Sequence, residues 1–236
     1  MEETPANDPK PGLLASLMAI ASAFIETLVT RWSVLLILLG LAWVAGGIAK
    51  TIQAVLLGPE TQALMGVFGL DIVPTAFFTA AAAHAVLWAW RPTIRECLEV
   101  AARAFAMMLL VLVIYRLAFI FGLAMLILPG LAVIVLFTFA PVIVMAERPG
   151  VVQSFLGSWH ITRRNIGPMV GGYILFLLAC LGGLVIGGIA AATASIGLSD
   201  ALSSVVQDSL LSAVFSLLHI SFAASAYKAL VGTKPD

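Results

Sequence analysis

Charge is scarce in this chain. Only 10% of its 236 residues are Asp, Glu, Lys or Arg, against roughly 25% in a soluble globular domain. That shortage excludes an ordinary water-exposed surface. The twelve basic and twelve acidic residues cancel, so no bulk field draws the chain to nucleic acid. Cysteine and histidine are scarcer still, at two and three residues. Cys97 and Cys180 stand at no metal-ligand spacing and read as small apolar fillers, and the scattered histidines make no metal centre. There is no Walker-type glycine loop, dinucleotide fingerprint or haem motif, so no cofactor is expected. The N terminus, MEETPANDPKPG, has neither the positive n-region nor the cleavage site of a secretory signal. Residues 1–11 read as a retained, disordered cytoplasmic tail.

Apolar residues fill the space that charge leaves. They make up 62% of the chain, with a mean hydropathy of +1.12. A hydrocarbon core about 30 Å thick takes about 20 apolar residues in a helix. Such runs recur, and they predict an all-α polytopic membrane protein with one integral domain over 12–230 and a tail at 231–236. Spans are expected at about 32–56, 72–90, 105–127, 131–146, 168–194 and 205–227. The third and fourth share one apolar stretch, 105–146, that as a single helix would be about 63 Å long. It must fold back, and Pro129-Gly130 is the expected turn. Pro74 and Pro141 are expected to kink spans two and four.

The placement of the few charges orients the spans. Lys10, Arg31, Arg91, Arg95, Arg103, Arg148, Arg163, Arg164, Lys228 and Lys234 fall on one side. The opposite loops hold no Lys or Arg and carry Glu60, Asp71 and Asp200. The positive-inside rule then puts both termini in the cytoplasm. Lys50, near the far end of span one, is expected to snorkel.

A pattern repeats before each odd-numbered span. Pro11-Gly12, Pro92-Thr93 and Pro149-Gly150 each open a less apolar segment, and proline suits a helix's first turn because its missing N–H has no partner there. Amphipathic surface helices are therefore expected at about 12–30, 92–104 and 150–165. The second carries Arg95, Glu99 and Arg103 at i, i+4, i+8, with a Thr93–Glu96 capping box. In the third, Val151, Val152, Phe155, Leu156 and Trp159 form the apolar face. The whole reads as three copies of one unit: surface helix, span in, span out.

The stretch from Leu126 to Asn165 holds a Leu-Pro129-Gly130 turn, Pro141 ahead of Glu147, and Ser158-Trp159-His160-Ile161-Thr162-Arg163-Arg164-Asn165. It resembles the signature region of the glycerophosphoryl diester phosphodiesterase membrane-domain family and the related YciC-like bacterial inner-membrane proteins, departing from the common motif at His160 and Ile161. The resemblance implies a bacterial inner-membrane protein and no enzymatic half, since no soluble stretch here would hold the catalytic barrel fused to some members.

Several residues are candidates for function. Arg116, about eleven residues into span three, is expected near the midplane, where an arginine costs roughly 2.5–3.5 kcal/mol. It should face a polar cluster drawn from His84, Asp208, His219 and Tyr115. Three roles are open to it: a structural one, capping carbonyls near Pro141 or pairing with Asp208; a functional one, binding an anion or a lipid headgroup or lining a path; and snorkelling to the interface. Arg95, Arg103, Arg163, Arg164 and Trp159 are the expected headgroup contacts. Glu147 is expected to pair with Arg163 or Arg164 and fasten the third surface helix. Gly183, Gly187 and Ala191 offer a small-residue face for helix packing. Ser158 and His160 point about 200° apart on a helix, which excludes them as a nucleophile and its base.

These readings point to a non-enzymatic protein in envelope homeostasis that contacts membrane lipids or serves as a scaffold for a membrane partner or a second copy of itself. The alternative is a small transporter or channel with its pocket around Arg116.

Overall fold

The computed structural model describes residues 12–57, 69–88, 92–194 and 200–232, and among them there is no strand. Eight helices follow in order: α1 (Leu13–Leu57), α2 (Ile72–Leu87), α3 (Ile94–Met125), α4 (Ile127–Phe137), α5 (Ala140–Glu147), α6 (Val151–Arg164), α7 (Ile166–Ala194) and α8 (Asp200–Val231). Four stretches are long and apolar enough to cross a membrane: Leu13–Gln53, Ile94–Met125, Pro129–Glu147 and Ser204–Val231. The bent pair of α6 and the first part of α7 makes a fifth if counted as one. Helix α2 is apolar but, with 16 residues, falls short of that length.

The first two surface helices are not separate. Residues 12–30 and 32–56 merge into α1, and 92–104 and 105–127 merge into α3. The reason is covalent: neither junction holds a proline or glycine, so nothing interrupts the i to i−4 ladder that an apolar setting makes costly to break. The third junction does hold breakers. Asn165 ends α6, Pro168 falls in the first turn of α7, and the axes bend by 97°. The Asn165 side-chain amide donates to the Ile161 carbonyl at 2.9 Å and closes α6.

The reversal between α3 and α4 also differs from expectation. It turns on the extended residue Leu126, three positions before Pro129. Pro129 instead falls in the first turn of α4, where its missing N–H costs nothing. Gly130 serves close approach: a Cβ on Gly122 would lie 2.8 Å from the Gly130 Cα. Likewise Pro74 does not kink a span but sits in the first turn of α2. Pro141 does interrupt its span. The helix breaks at Thr138-Phe139 and resumes as α5, with Pro141 in its opening turn.

The core joins large side chains such as Phe139, Leu38, Met108, Met169 and Ile220 to a seam of small residues on α2 and α8. Ala76, Ala80, Ala81, Ala82, Ala83 and Ala85 of α2 are fully buried, as are Ala223, Ala224 and Ala226 of α8. Helix α2 packs on α1, α3, α5 and α8, and small side chains let those backbones approach closely. Other large apolar residues face outward: Trp32, Leu36, Val44 and Ile48 of α1 and Leu178 and Leu181 of α7 are all more than half exposed. A small-residue seam between helices, with large apolar side chains on the outer faces, suits lipid.

Candidate functional site

The polar groups of the described residues gather at three levels. At the first, the end holding the last turns of α2 and α8, Arg31 donates to the Trp88 carbonyl at 2.9 Å and Lys228 to the Val86 carbonyl at 3.4 Å. His84 belongs here too: it is buried, and its Nδ1 accepts from the Trp88 indole N–H. The Tyr227 hydroxyl donates to Glu147 at 2.7 Å. Glu147 therefore fastens α5 to α8, and no ion pair joins it to Arg163 or Arg164 among the described residues.

The second level lies at the opposite end. Arg116 stands 3.5 Å from Asp71, and Lys50 stands 4.0 Å from Asp208. Gln53 accepts from the Leu70 N–H at 3.0 Å. Asp208 is thus the partner of Lys50, and Arg116 finds its carboxylate at the residue before α2. Because α3 starts at Ile94 and runs unbroken, Arg116 lies well along it, beside the start of α2. Nineteen residues separate Arg31 from Lys50 and twenty separate Asp208 from Lys228, which at 1.5 Å per residue is about 28–30 Å. That is about the thickness of a hydrocarbon core. A crevice between α1, α2 and α8 opens at this level, lined by Lys50, Asp71, Thr75, Thr79, Ser209, Ser212 and Ser216.

The third level is midway along α8. The Tyr173 hydroxyl hydrogen-bonds to His219 Nε2 at 2.7 Å and also to the Thr138 hydroxyl, which lies 3.3 Å from the same Nε2. Phe176, Phe215 and Phe222 enclose the group. Tyr115, half-buried on α3, lies about 100° around the helix from Arg116. The five residues expected to form one cluster around Arg116 are therefore spread over separate polar groups.

The signature stretch folds as α6. Ser154, Ser158 and Thr162 face inward and are fully buried, whereas Val152, Leu156, Trp159, His160, Arg163 and Arg164 face outward. The Ser158 hydroxyl accepts from the Phe139 N–H at 3.1 Å and donates to the Leu136 carbonyl at 2.9 Å. Thr162 reaches the Val135 carbonyl at 3.5 Å. These backbone groups border the Pro141 break, where the ladder is interrupted. Ser158 is thus committed on both sides to mending a helix. The sequence held a clue, since a proline within an apolar span leaves carbonyls in need of donors. The roles of Tyr173 and Thr138 had no such clue.

Both ends of α6 lie near the C-terminal end of α8. Its first turn follows Glu147, which holds Tyr227, and Arg164 and Asn165 share a groove with Leu230 and Val231. Arg95 pairs with Glu99 at 2.8 Å on the exposed face of α3, below the Thr93–Glu96 capping box. Gly183, Gly187 and Ala191 fall within α7, where their side-chain surroundings lie outside the described residues. Among the described residues no three His, Cys, Asp or Glu side chains are placed to hold a metal ion. No family model, curated protein or solved structure matches the chain.

Proposed function

We propose that this chain is a non-enzymatic, six-span protein of the bacterial cytoplasmic membrane, with both termini in the cytoplasm, that works through contact with lipid. The six spans are α1, α2, α3, α4 with α5, α7 and α8. Helix α2 is short, but seventeen residues separate Asp71 at one polar level from Trp88 at the other, about 26 Å along a helix. The level bearing Arg31, Lys228 and, nearby, Arg164 is the cytoplasmic one by the positive-inside rule. The family resemblance of residues 126–165 supports the same placement and an envelope role beside a membrane partner or a second copy.

One observation carries the lipid reading. Helix α6 buries its hydroxyls and turns outward an apolar stripe, Val152, Leu156 and Trp159, with Arg163 and Arg164 at its end. That is the makeup of a helix at the headgroup boundary, with the arginines and Arg95 and Arg103 of α3 toward anionic lipid. The transporter alternative would place Arg116, His84, Asp208 and His219 along one path, and their separation into different polar groups weighs against it.

The test is a nitroxide on Leu156→Cys in the full-length protein, in phosphatidylglycerol and phosphatidylcholine vesicles, with Cys97 and Cys180 buried and left in place. Power saturation should report access to lipid-soluble oxygen above access to an aqueous nickel chelate. Access to nickel alone would sink the reading.

A further inference from the structure

We propose that a groove between α3 and the α5–α6 corner holds one anionic phospholipid, its phosphate between Arg103 and Arg148 and an acyl chain along α3. The inference rests on the lipid-contacting reading above and gives it a site. The groove, of about 210 Å³, is floored by Met107, Val144 and Met145 and has Arg103 and Arg148 in its wall, and among the described residues no acidic one lines it. Two cations beside an apolar floor, at the cytoplasmic end of the bundle, match an anionic headgroup with its chain attached.

The arginines are available for it. Neither guanidinium makes an ion pair or hydrogen bond with a described residue. The nearest acid in sequence to Arg148, Glu147, is turned to Tyr227.

The backbone of Arg148 supplies an independent observation. It is the one non-glycine residue at positive φ among those described, with φ 51° and ψ 39°. Helices commonly end on such a left-handed residue, and glycine is the usual choice because it has no Cβ to clash. Gly150 stands two residues on, so the turn does not lack a nearby glycine. An arginine in this strained position points to a use for its side chain.

The rest of the lipid has a track. Below Arg103 on α3, Met107, Leu110 and Ile114 are exposed at i+4, i+7 and i+11, one straight stripe toward the opposite end of the helix. Eleven residues make about 16 Å, half of a hydrocarbon core about 30 Å thick. One leaflet's acyl chain fits that length.

The test is native mass spectrometry of the full-length protein with equimolar dioleoyl phosphatidylglycerol and dioleoyl phosphatidylcholine. The glycerol lipid should be retained at least about fivefold over the choline lipid, and Arg103→Gln or Arg148→Gly should each cut that ratio by about fivefold. Arg148→Gly should melt no lower than the parent, because glycine relieves the backbone while removing the headgroup contact. Lys50→Gln, at the opposite end of the bundle where the lysine stands 4.0 Å from Asp208, should leave the ratio unchanged. Equal retention of the two lipids, displacement by millimolar inorganic phosphate, or an unchanged ratio in Arg148→Gly would overturn the site. Equal retention of the two lipids by the parent protein, with the Leu156→Cys label still in the bilayer boundary, would remove this site and leave the general lipid reading standing.

Discussion

Ser158 and Phe139 are joined across the α4–α5 break: the Phe139 N–H donates to the Ser158 hydroxyl at 3.1 Å, and that hydroxyl donates on to the Leu136 carbonyl at 2.9 Å. One buried side chain thereby substitutes for the ladder bonds that a proline two residues later disturbs. In a water-soluble loop, solvent would do this work. In a chain that faces lipid, a protein donor is needed, because each unsatisfied backbone group costs several kcal/mol in hydrocarbon.

The first prediction follows from that bond. Ser158→Ala removes one oxygen from a fully buried position and leaves the backbone pair unpartnered, with a loss of about 1–2 kcal/mol. Unfolding of the purified protein in mixed micelles would read it. His160→Ala, on the exposed side of the same helix, is the control and should be neutral. Equal effects of the two would refute the pin.

The second prediction concerns the hairpin of α3 and α4. A Cβ on Gly122 meets the Gly130 backbone at 2.8 Å, whereas one on Gly171 meets the end of the Leu17 side chain at 2.8 Å. A side chain can rotate away and a helix backbone cannot. Gly122→Ala should therefore lower stability by about 1–3 kcal/mol and Gly171→Ala by clearly less. The reverse order in a melting series would show that the two helices part easily at Leu126.

The third prediction concerns Arg116 and Asp71. Their partly exposed pair, at 3.5 Å, should show a coupling of about 0.5–1 kcal/mol in a double-mutant cycle of Arg116→Gln and Asp71→Asn. The corresponding cycle between Arg116 and Asp208 should give a coupling near zero, because Asp208 pairs with Lys50. Strong coupling of Arg116 to Asp208 would restore the single polar cluster that the separate levels deny.

Much of the fold was legible along the chain because its signals are local. Runs of apolar residues announce helices, Pro149-Gly150 and Asn165 to Pro168 bound α6, and Thr93 with Glu96 caps α3. The same local reading erred where it took polarity for a boundary. Arg31 and Arg103 mark less apolar surroundings, yet neither breaks a helix, since an arginine fits within an unbroken ladder and has none of the breaking force of proline or glycine.

The amino-acid sequence by itself determined that this chain is helical, that its surface suits lipid, and that its basic residues collect mostly toward one end. Those properties depend on composition and on spacing within single helices. Tertiary structure alone decided which polar groups meet: Arg116 with Asp71 instead of Asp208, Glu147 with Tyr227 instead of the α6 arginines, and Ser158 with the backbone around Phe139. Each pairing joins separate helices. Its partner depends on how far along its neighbour a helix is registered, and that register is set by the packing of small residues such as Gly122, Gly130 and the alanines of α2, which no periodicity in the chain records.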